Sequence, residues 1–385
     1  MSAPLYLDTA RIGLLTLEAS QACEDAIALA THDPNRAFGE FQTDQSSDSI
    51  RHWNGIQQLF ADILSAFDNP TGELVVASES ASLLNLAGRC LFTFGRKVFV
   101  PDLVWPNHLT GLRTFSRFES QQIYLAKCRR QIVEGVDNNS FVMDMARQYE
   151  LSGCDSLFLT AVSSDGIRFP IDQLLSEIEK TRKPRFIVID GAQEFAHLDY
   201  RLNTAGDLYL FSAHKWLGAY HPMSLGMYGR KSSKPLIEKM LARMIDQREI
   251  NDPTLKASAA NNFDYQETIN LLPFFSLAGA MQSLADRDHD TSFENRRYNA
   301  STFSEVAAQS GWTDRYASLD EEFRTAISVI EKPDTGPNPI ELQHRLHRSG
   351  VAATVLDDGG IRASMPARPF ENQQLETISK MLSSF

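Results

Sequence analysis

The chain has 385 residues, 43% of them hydrophobic, as expected of a globular protein with a substantial core. Its formal net charge of −12 gives no support to nucleic acid or an anionic membrane as a partner. No run approaches the roughly 18 apolar residues of a spanning helix, and no basic and apolar leader opens the sequence. The four cysteines (Cys23, Cys90, Cys128 and Cys154) have no CxxC spacing, so we expect a soluble protein of the reducing cytoplasm.

The first 70 residues predict a turn followed by two helices. Residues 5–13 form a short apolar piece that ends at Gly13, and residues 18–30 predict a helix. We expect a loop over residues 35–40, where Arg36 is one candidate for facing a substrate. Apolar residues at spacings of three and four predict an amphipathic helix over residues 55–67, which packs on the core.

A phosphate-binding turn is predicted between the strand at residues 74–77 and the helix at residues 83–92. The connection, residues 78–82, consists of small residues and Glu79. A helix N-terminus offers free backbone N–H groups and a positive dipole end to an anion. A turn of this kind also serves merely to cap a helix, so the pattern alone leaves both interpretations open.

Strands and helices then alternate along the chain. Strands are predicted at residues 97–101, 121–126 and 156–162, and helices at residues 137–150 and 171–178. This alternation predicts an α/β fold with a doubly wound, mostly parallel sheet.

Two buried strands end in polar residues that carry chemistry. Phe186–Asp190 is an apolar run that ends in an acid, and residues 207–212 form a second run that leads into Ser212-x-His214-Lys215. Open α/β sheets bind ligands at the carboxyl ends of their strands. An Asp and a Lys at that edge suit pyridoxal 5'-phosphate (PLP), which needs a lysine for its Schiff base and a carboxylate for its pyridinium nitrogen. Taken alone, the Asp is better explained as a helix cap and the Lys as a solvated charge, so the joint pattern carries the interpretation.

The composition changes near Leu284 to a charged helix and short strands. We therefore predict a large domain over residues 15–284 and a small domain from residues 1–14 and 285–385. The spacing of Asp286, Asp288 and Asp290 fails as a calcium loop because Thr291 and Arg297 stand where Gly and Glu are needed, so no metal site is predicted. The sequence also lacks the motifs of nucleotide enzymes and serine hydrolases.

Asp190-x-x-Gln193 and Ser212-x-His214-Lys215-Trp216-x-Gly218 together resemble the class V aminotransferase family. This group of PLP enzymes includes cysteine desulfurases, kynureninases and isopenicillin N epimerases. Residues 6–13 resemble its Y-L-D-x-A-x-x-G segment and residues 360–364 its G-[IV]-R-x-S strand. The resemblance runs from Tyr6 to about Leu382. It implies the type I PLP-dependent transferase fold, with a mostly parallel seven-stranded sheet and a smaller α+β C-terminal domain.

The resemblance also implies roles for individual residues. Lys215 would carry PLP and act at the substrate Cα, Asp190 would hold the ring nitrogen, and Gln193 would bond the ring 3-oxygen. The phosphate would be held by Ser80, Ala81, Ser212 and His214, although His214 can also be interpreted as a packed core histidine. Trp105 would stack on the ring, with His108 as second choice and a buried loop tryptophan as the alternative. Arg362 and Arg11 would face the substrate, and an edge-strand charge is the alternative for Arg362.

Thr268 would reach the phosphate of a neighbouring subunit, so the resemblance implies a homodimer with shared active sites. Three departures from the family pattern accompany these matches. Glu79 and Glu267 each replace a glycine, and the asparagine expected near Ser164 is missing. We expect Glu79 to point away from the phosphate.

The resemblance therefore predicts a PLP-dependent enzyme that acts on a small amino acid or amine through an external aldimine. Our first choice among such enzymes is an aminotransferase. A lyase of Cα–Cβ or C–S bonds, a hydrolase and an epimerase are alternatives. A desulfurase with a persulfide carrier is disfavoured because the last cysteine, Cys154, lies in the large domain. A third possibility is a non-catalytic binding or regulatory protein that has kept the fold. The sequence does not indicate the substrate, the pathway or the stereochemistry.

Overall fold

The computed structural model describes residues 5–43, 45–118, 122–198, 205–261, 263, 269–332 and 338–384. The strands are β1 (Leu5–Tyr6), β2 (Glu73–Ala77), β3 (Lys97–Pro101), β4 (Gln122–Ala126), β5 (Ser156–Thr160), β6 (Phe186–Asp190), β7 (Leu208–Ser212), β8 (Ser224–Tyr228), β9 (Thr313–Asp314), β10 (Ile327–Glu331), β11 (Val351–Ala352), β12 (Thr354–Val355) and β13 (Ile361–Ser364).

The helices are α1 (Leu17–His32), α2 (Pro34–Gln42), α3 (Ile56–Ala66), α4 (Ser80–Phe94), α5 (Pro106–Phe118), α6 (Arg129–Val133), α7 (Asn138–Ser152), α8 (Ile171–Glu179), α9 (Lys234–Asp246), α10 (Pro253–Ala259), α11 (Leu272–Ala285), α12 (His289–Gln309), α13 (Pro339–Arg348) and α14 (Asn372–Ser383). Among the helices described, none is long and apolar enough to cross a membrane.

The main sheet has seven strands in the order β2-β8-β7-β6-β5-β3-β4. Only β8 runs against its neighbours, β2 and β7, while the other pairs are parallel. Every residue of β5, β6 and β7 is buried. Continuous apolar runs form these strands because helices cover both faces of a parallel sheet. The predicted α/β, mostly parallel seven-stranded architecture is confirmed.

A second sheet follows in the C-terminal part of the chain. It has four strands in the order β12-β13-β10-β9, all antiparallel, and its own core includes Trp312, Leu346 and Ile378. β1 pairs in parallel with β11, which attaches the start of the chain to this part. These contacts support the proposed division into 15–284 and 1–14 with 285–385.

One predicted loop is a helix. Residues 35–40 lie inside α2, because Pro34 takes its first position and the Asp33 side chain accepts a hydrogen bond from Arg36 N at 3.1 Å. Phe41 is fully buried and anchors this helix to the core. Arg36 instead donates to Ser49 Oγ at 2.7 Å and is not among the described residues that line the active-site cavity below. Its suggested contact with a substrate stays a prediction.

Candidate active site

A cavity of about 270 Å³ opens at the carboxyl edge of the seven-stranded sheet. Thr160 ends β5 and lies in register with Asp190, which ends β6, and Ser212 ends the adjacent β7. Parallel strands thus bring three polar side chains to one edge. The described lining comprises Ala10, Arg11, Ser80, Trp105, His108, Thr160, Val162, Ser164, Asp190, Ala192, Gln193, Ser212, His214, Lys215 and Arg362.

Asp190 is buried at the floor of this cavity and is held as a carboxylate. Its Oδ2 lies 3.0 Å from His108 Nδ1, and its Oδ1 accepts a hydrogen bond from Ala192 N at 3.1 Å. Burial tends to raise the pKa of Asp190, but His108, the Ala192 amide and Lys215 together lower it below the usual value. Asp190 can therefore face a positively charged ring nitrogen as its counter-ion.

Lys215 lies in the turn after β7 and lines the same cavity. Burial of its amine lowers the pKa of Lys215, Asp190 opposes that shift, and Arg362 adds to it. A lowered pKa increases the fraction of neutral amine, which is the nucleophilic and basic form.

The N-terminal segment fixes the backbone of the Lys215 turn. Gly13 N donates to His214 O at 2.7 Å, and Thr16 N donates to Gly218 O at 3.1 Å. A Cβ atom on Gly13 would lie 1.9 Å from the Lys215 carbonyl oxygen. Gly13 is therefore required for this close approach of two backbones.

Replacing Gly13 with alanine is expected to displace the Lys215 turn and lower kcat/KM by about 10²-fold, since small misplacements of reacting groups have effects of that size. The matched control is Gly39→Ala in α2, where a Cβ meets nothing within 4 Å. That control should keep full activity and stabilise the fold by about 0.5–1 kcal/mol. Steady-state kinetics and thermal melts measure both effects, and equal activity of the two variants would show that the close approach is unimportant.

Gln193 lies under the cavity within a buried polar cluster. Its Nε2 donates to Ala10 O at 2.7 Å, and its Oε1 accepts from Trp216 Nε1 at 2.8 Å. His197 stacks on Trp216 with ring centroids 3.7 Å apart, and Arg296 lies over the same indole. Gln193 keeps one amide N–H for a ligand, so its predicted bond to the ring 3-oxygen stays a prediction.

The predicted phosphate site is brought together in part. Ser80, Ser212 and His214 line the cavity, whereas Ala81, the next residue of α4, is not in the described lining. Burial and the neighbouring His221 lower the pKa of His214 to about 4, so its ring is neutral near pH 7. The Thr268 prediction lies outside the described residues.

Asp252 constrains the turn before α4. Its carboxylate accepts hydrogen bonds from Ser78 N at 2.8 Å and Glu79 N at 3.3 Å. Those two amides are thus committed, and a phosphate here would use the N–H groups that follow at the helix start. Glu79 is exposed and is not in the described lining of the cavity.

Trp105 and His108 have different places in the site. Trp105 lines the cavity and is 43% exposed, so it is not a buried loop tryptophan. His108 meets it edge-on, with ring centroids 5.2 Å apart and an angle of 80°. The sequence suggested His108 only as a second stacking residue and gave no sign of its bond to Asp190.

Arg362 and Arg11 both line the cavity. The buried Arg362 donates from Nη1 to Ser164 O at 2.9 Å, and from Nη2 to Thr354 Oγ1 at 3.0 Å and Asp8 Oδ1 at 3.3 Å. Its Nε is buried without a partner among the described residues. Arg362 is therefore held in place with donor capacity to spare, which suits a fork for a carboxylate.

Thr160 is a residue that the sequence interpretation missed. Its Oγ1 is buried and has no hydrogen-bond partner in the described part of the chain, although it lines the cavity beside Asp190. An unpartnered buried hydroxyl is costly, so a bound group that supplies its partner is favoured. The sequence predicts this strand over residues 156–162, so Thr160 does not stand at its predicted end, whereas β5 ends at Thr160.

Behind Asp190, Glu194 accepts a hydrogen bond from Tyr209 OH at 2.8 Å. Burial raises the pKa of Glu194 from its ordinary value of 4.5 to about 7. Between these pH values the unfolded chain has lost the proton while the folded chain keeps it. The free energy of unfolding is therefore expected to fall as the pH rises through this window.

Glu194→Gln should remove this fall of the unfolding free energy with pH. The control Glu179→Gln, at an exposed position, should leave it unchanged. Urea unfolding at a series of pH values measures it. Parallel profiles for wild type and Glu194→Gln would show that Glu194 ionises normally.

The side chains that line this cavity fit PLP. They offer an amine (Lys215), a carboxylate kept ionised for a ring nitrogen (Asp190), an aromatic side chain (Trp105) and an unpartnered hydroxyl (Thr160). Such a site, at the strand ends of a mostly parallel seven-stranded sheet, defines the chain as a type I fold PLP enzyme.

The sequence model of the family "Aminotransferase class-V" matches residues 135–328, half of the chain. The chain belongs to this family, whose cofactor is PLP. No curated protein sequence matched the chain.

Several solved structures share the fold. The cysteine desulfurase CsdA from Escherichia coli is 15% identical, with a TM-score of 0.69 and coverage of 99% of this chain and 94% of its own. An alanine–glyoxylate aminotransferase from Nostoc sp. is 13% identical, with a TM-score of 0.68 and coverage of 100% and 95%. The cystine C–S lyase C-DES is 12% identical, with a TM-score of 0.71 and coverage of 100% and 98%. These neighbours catalyse different reactions, so their likeness concerns the fold.

Proposed function

We propose that this protein is an aminotransferase that acts on a small amino acid, with Lys215 as its catalytic base. The observation that carries the proposal is the common cavity of Lys215, Asp190 and Arg362. Bound PLP supplies an electron sink for negative charge at the substrate Cα. Asp190 stabilises the positive ring nitrogen, and Arg362 binds and orients the substrate carboxylate.

Lys215 provides the proton transfer. The lowered pKa of its amine makes Nζ a competent base, which would take the proton from the substrate Cα and deliver it to the C4′ atom of the coenzyme on the same face. Trp105 covers the ring and excludes water, which protects the reacting atoms from hydrolysis.

The lining of the cavity favours transfer over elimination. A lyase benefits from a group that protonates the departing atom at Cβ. In the part of the chain that the structure describes, Asp190 is the only carboxyl group of the lining, and no cysteine or tyrosine lies there. Of the two histidines in the lining, His108 contacts Asp190 through Nδ1, and the pKa of His214 is lowered to about 4, so that it is neutral near pH 7. Asp190 is committed to the coenzyme ring. Transfer needs the Lys215 amine alone for its proton steps.

The cysteines also argue against a desulfurase with a persulfide carrier. All four are buried free thiols: Cys23, Cys90, Cys128 and Cys154. Burial is the first cause that raises the pKa of each thiol, which disfavours the nucleophilic thiolate. Free thiols also support the proposed cytoplasmic location.

A homodimer belongs to the same proposal. Large apolar side chains beside the Lys215 turn are exposed, among them Leu14 (65%), Leu17 (67%) and Tyr220 (38%). Apolar side chains clustered in this way mark association surfaces. A second copy seated here would also bring its own chain to the cavity. Light scattering on the purified holoenzyme should give twice the mass of one 43.1 kDa chain, and a monomeric mass would refute the dimer.

The experiment that tests the reaction is a spectral screen of the holoenzyme against a panel of amino acids, followed by addition of a 2-oxo acid. We expect one amino acid to change the visible absorption, and the 2-oxo acid to restore it with formation of a new amino acid. Release of pyruvate and ammonia without a 2-oxo acid would instead identify a lyase. Bound coenzyme that no amine perturbs would identify a non-catalytic protein.

A further inference from the structure

Ser164, in the turn that follows β5, contributes to the cavity through its backbone. Its side chain stands where the family's asparagine is missing, but its carbonyl oxygen accepts the hydrogen bond from Arg362 Nη1 at 2.9 Å. The Ser164 carbonyl therefore helps to set the direction of the Arg362 guanidinium, together with Asp8 and Thr354 on the other amino group.

A partly buried charge cluster under this turn holds that carbonyl in place. Asp165 Oδ2 accepts hydrogen bonds from Arg129 Nη1 and Tyr316 OH, and Asp165 Oδ1 accepts from Ser163 Oγ at 2.5 Å. Ser163 Oγ accepts in turn from Ile167 N at 2.9 Å. Burial tends to raise the pKa of Asp165, but Arg129 and the three hydrogen bonds hold it below its usual value. The carboxylate stays charged and fully bonded.

The cluster joins separate parts of the chain. Arg129 begins α6, beside the seven-stranded sheet, while Tyr316 follows β9 of the four-stranded sheet. Gly166, with φ of +102°, packs on Ile327, and its carbonyl accepts from Thr325 Oγ1 at 2.8 Å. The 163–166 turn is therefore held by hydrogen bonds from residues of both the large and the C-terminal parts of the chain, which determine its position.

We propose that Asp165 is a positioning residue for recognition of the substrate carboxylate. Held by Arg129 and Tyr316, Asp165 fixes the 163–166 turn, and the Ser164 carbonyl then orients Arg362 toward the cavity. This inference rests on the proposed role of Arg362. Asp165, Arg129 and Tyr316 would thus determine the preference of the enzyme for amino acids over amines without contacting the substrate themselves.

The test compares the affinity of the holoenzyme for alanine and for ethylamine, which lacks the carboxylate, by spectral titration. Asp165→Asn keeps the shape but loses the charge that pairs with Arg129. We expect its Kd for alanine to rise about tenfold while its Kd for ethylamine stays unchanged, because only one ligand uses Arg362. Tyr316→Phe removes one hydrogen bond and should act in the same direction with a smaller effect. Asp246→Asn on the exposed face of α9 is the matched control.

If Asp165→Asn loses affinity for alanine and ethylamine equally, Asp165 has a general structural role and the inference is overturned. An unchanged ratio of the two Kd values in Asp165→Asn would overturn it as well. If Asp165→Asn does not fold, the same comparison in Tyr316→Phe decides the question. A wild type that binds alanine and ethylamine equally would instead refute the carboxylate role of Arg362, and the inference with it. The wild-type measurement thus separates the two failures.

Discussion

Lys215→Ala is expected to lower kcat by about 10⁴-fold, the upper range for loss of a positioned acid–base group. The variant loses both the amine that holds the coenzyme and the base that acts at the substrate Cα. No other lysine lines the cavity in the described part of the chain, so no neighbour can take over. The visible absorption of the lysine-bound coenzyme should disappear together with turnover.

The matched control is Lys380→Ala, whose side chain is exposed on α14. It should retain both the absorption and the activity of the wild type. Partial rescue of Lys215→Ala by added small amines would support a role of the amine in proton transfer. Substantial turnover of Lys215→Ala without added amine would refute the proposed chemistry.

Asp190→Asn is expected to lower kcat by about 10²- to 10³-fold, as found when one preorganised electrostatic contact is removed from an active site. The amide has the same shape but no charge, so it cannot stabilise a positive ring nitrogen, and the coenzyme withdraws electrons less effectively. The change also removes the carboxylate that lies 3.0 Å from His108 Nδ1.

Absorption spectra and stopped-flow rates of Cα proton removal measure this effect. Coenzyme content should remain near that of the wild type if Lys215 and the phosphate contacts are intact. The control is Asp62→Asn on the exposed face of α3. A wild-type rate of proton removal in Asp190→Asn would show that Asp190 does not act on the ring.

The central sheet and three residues at its edge can be predicted because local sequence patterns determine them. Buried parallel strands are read from continuous apolar runs, and a strand that ends in Asp or Ser places that residue at the ligand-binding edge. Asp190, Ser212 and Lys215 were located in this way. The loop predicted over residues 35–40 is wrong, because Asp33 caps a helix there and Pro34 occupies its first position.

Contacts between distant segments could not be predicted. Arg362 meets Asp8 across 354 positions of sequence, and Tyr316 meets Asp165 across 151. No periodicity or spacing indicates such pairs, because they arise only when segments far apart in the sequence pack together. The bond between His108 and Asp190 is of the same kind, since the first turn of α5 has to lie over the end of β6.

The role of Lys215 is tested most directly by identifying the residue to which PLP is covalently attached. Borohydride reduction of the holoenzyme, proteolysis and mass spectrometry locate the lysine that carries the pyridoxyl group. We expect a single modified peptide, which contains Lys215. A label on a different lysine, or none in protein that binds PLP tightly, would contradict it.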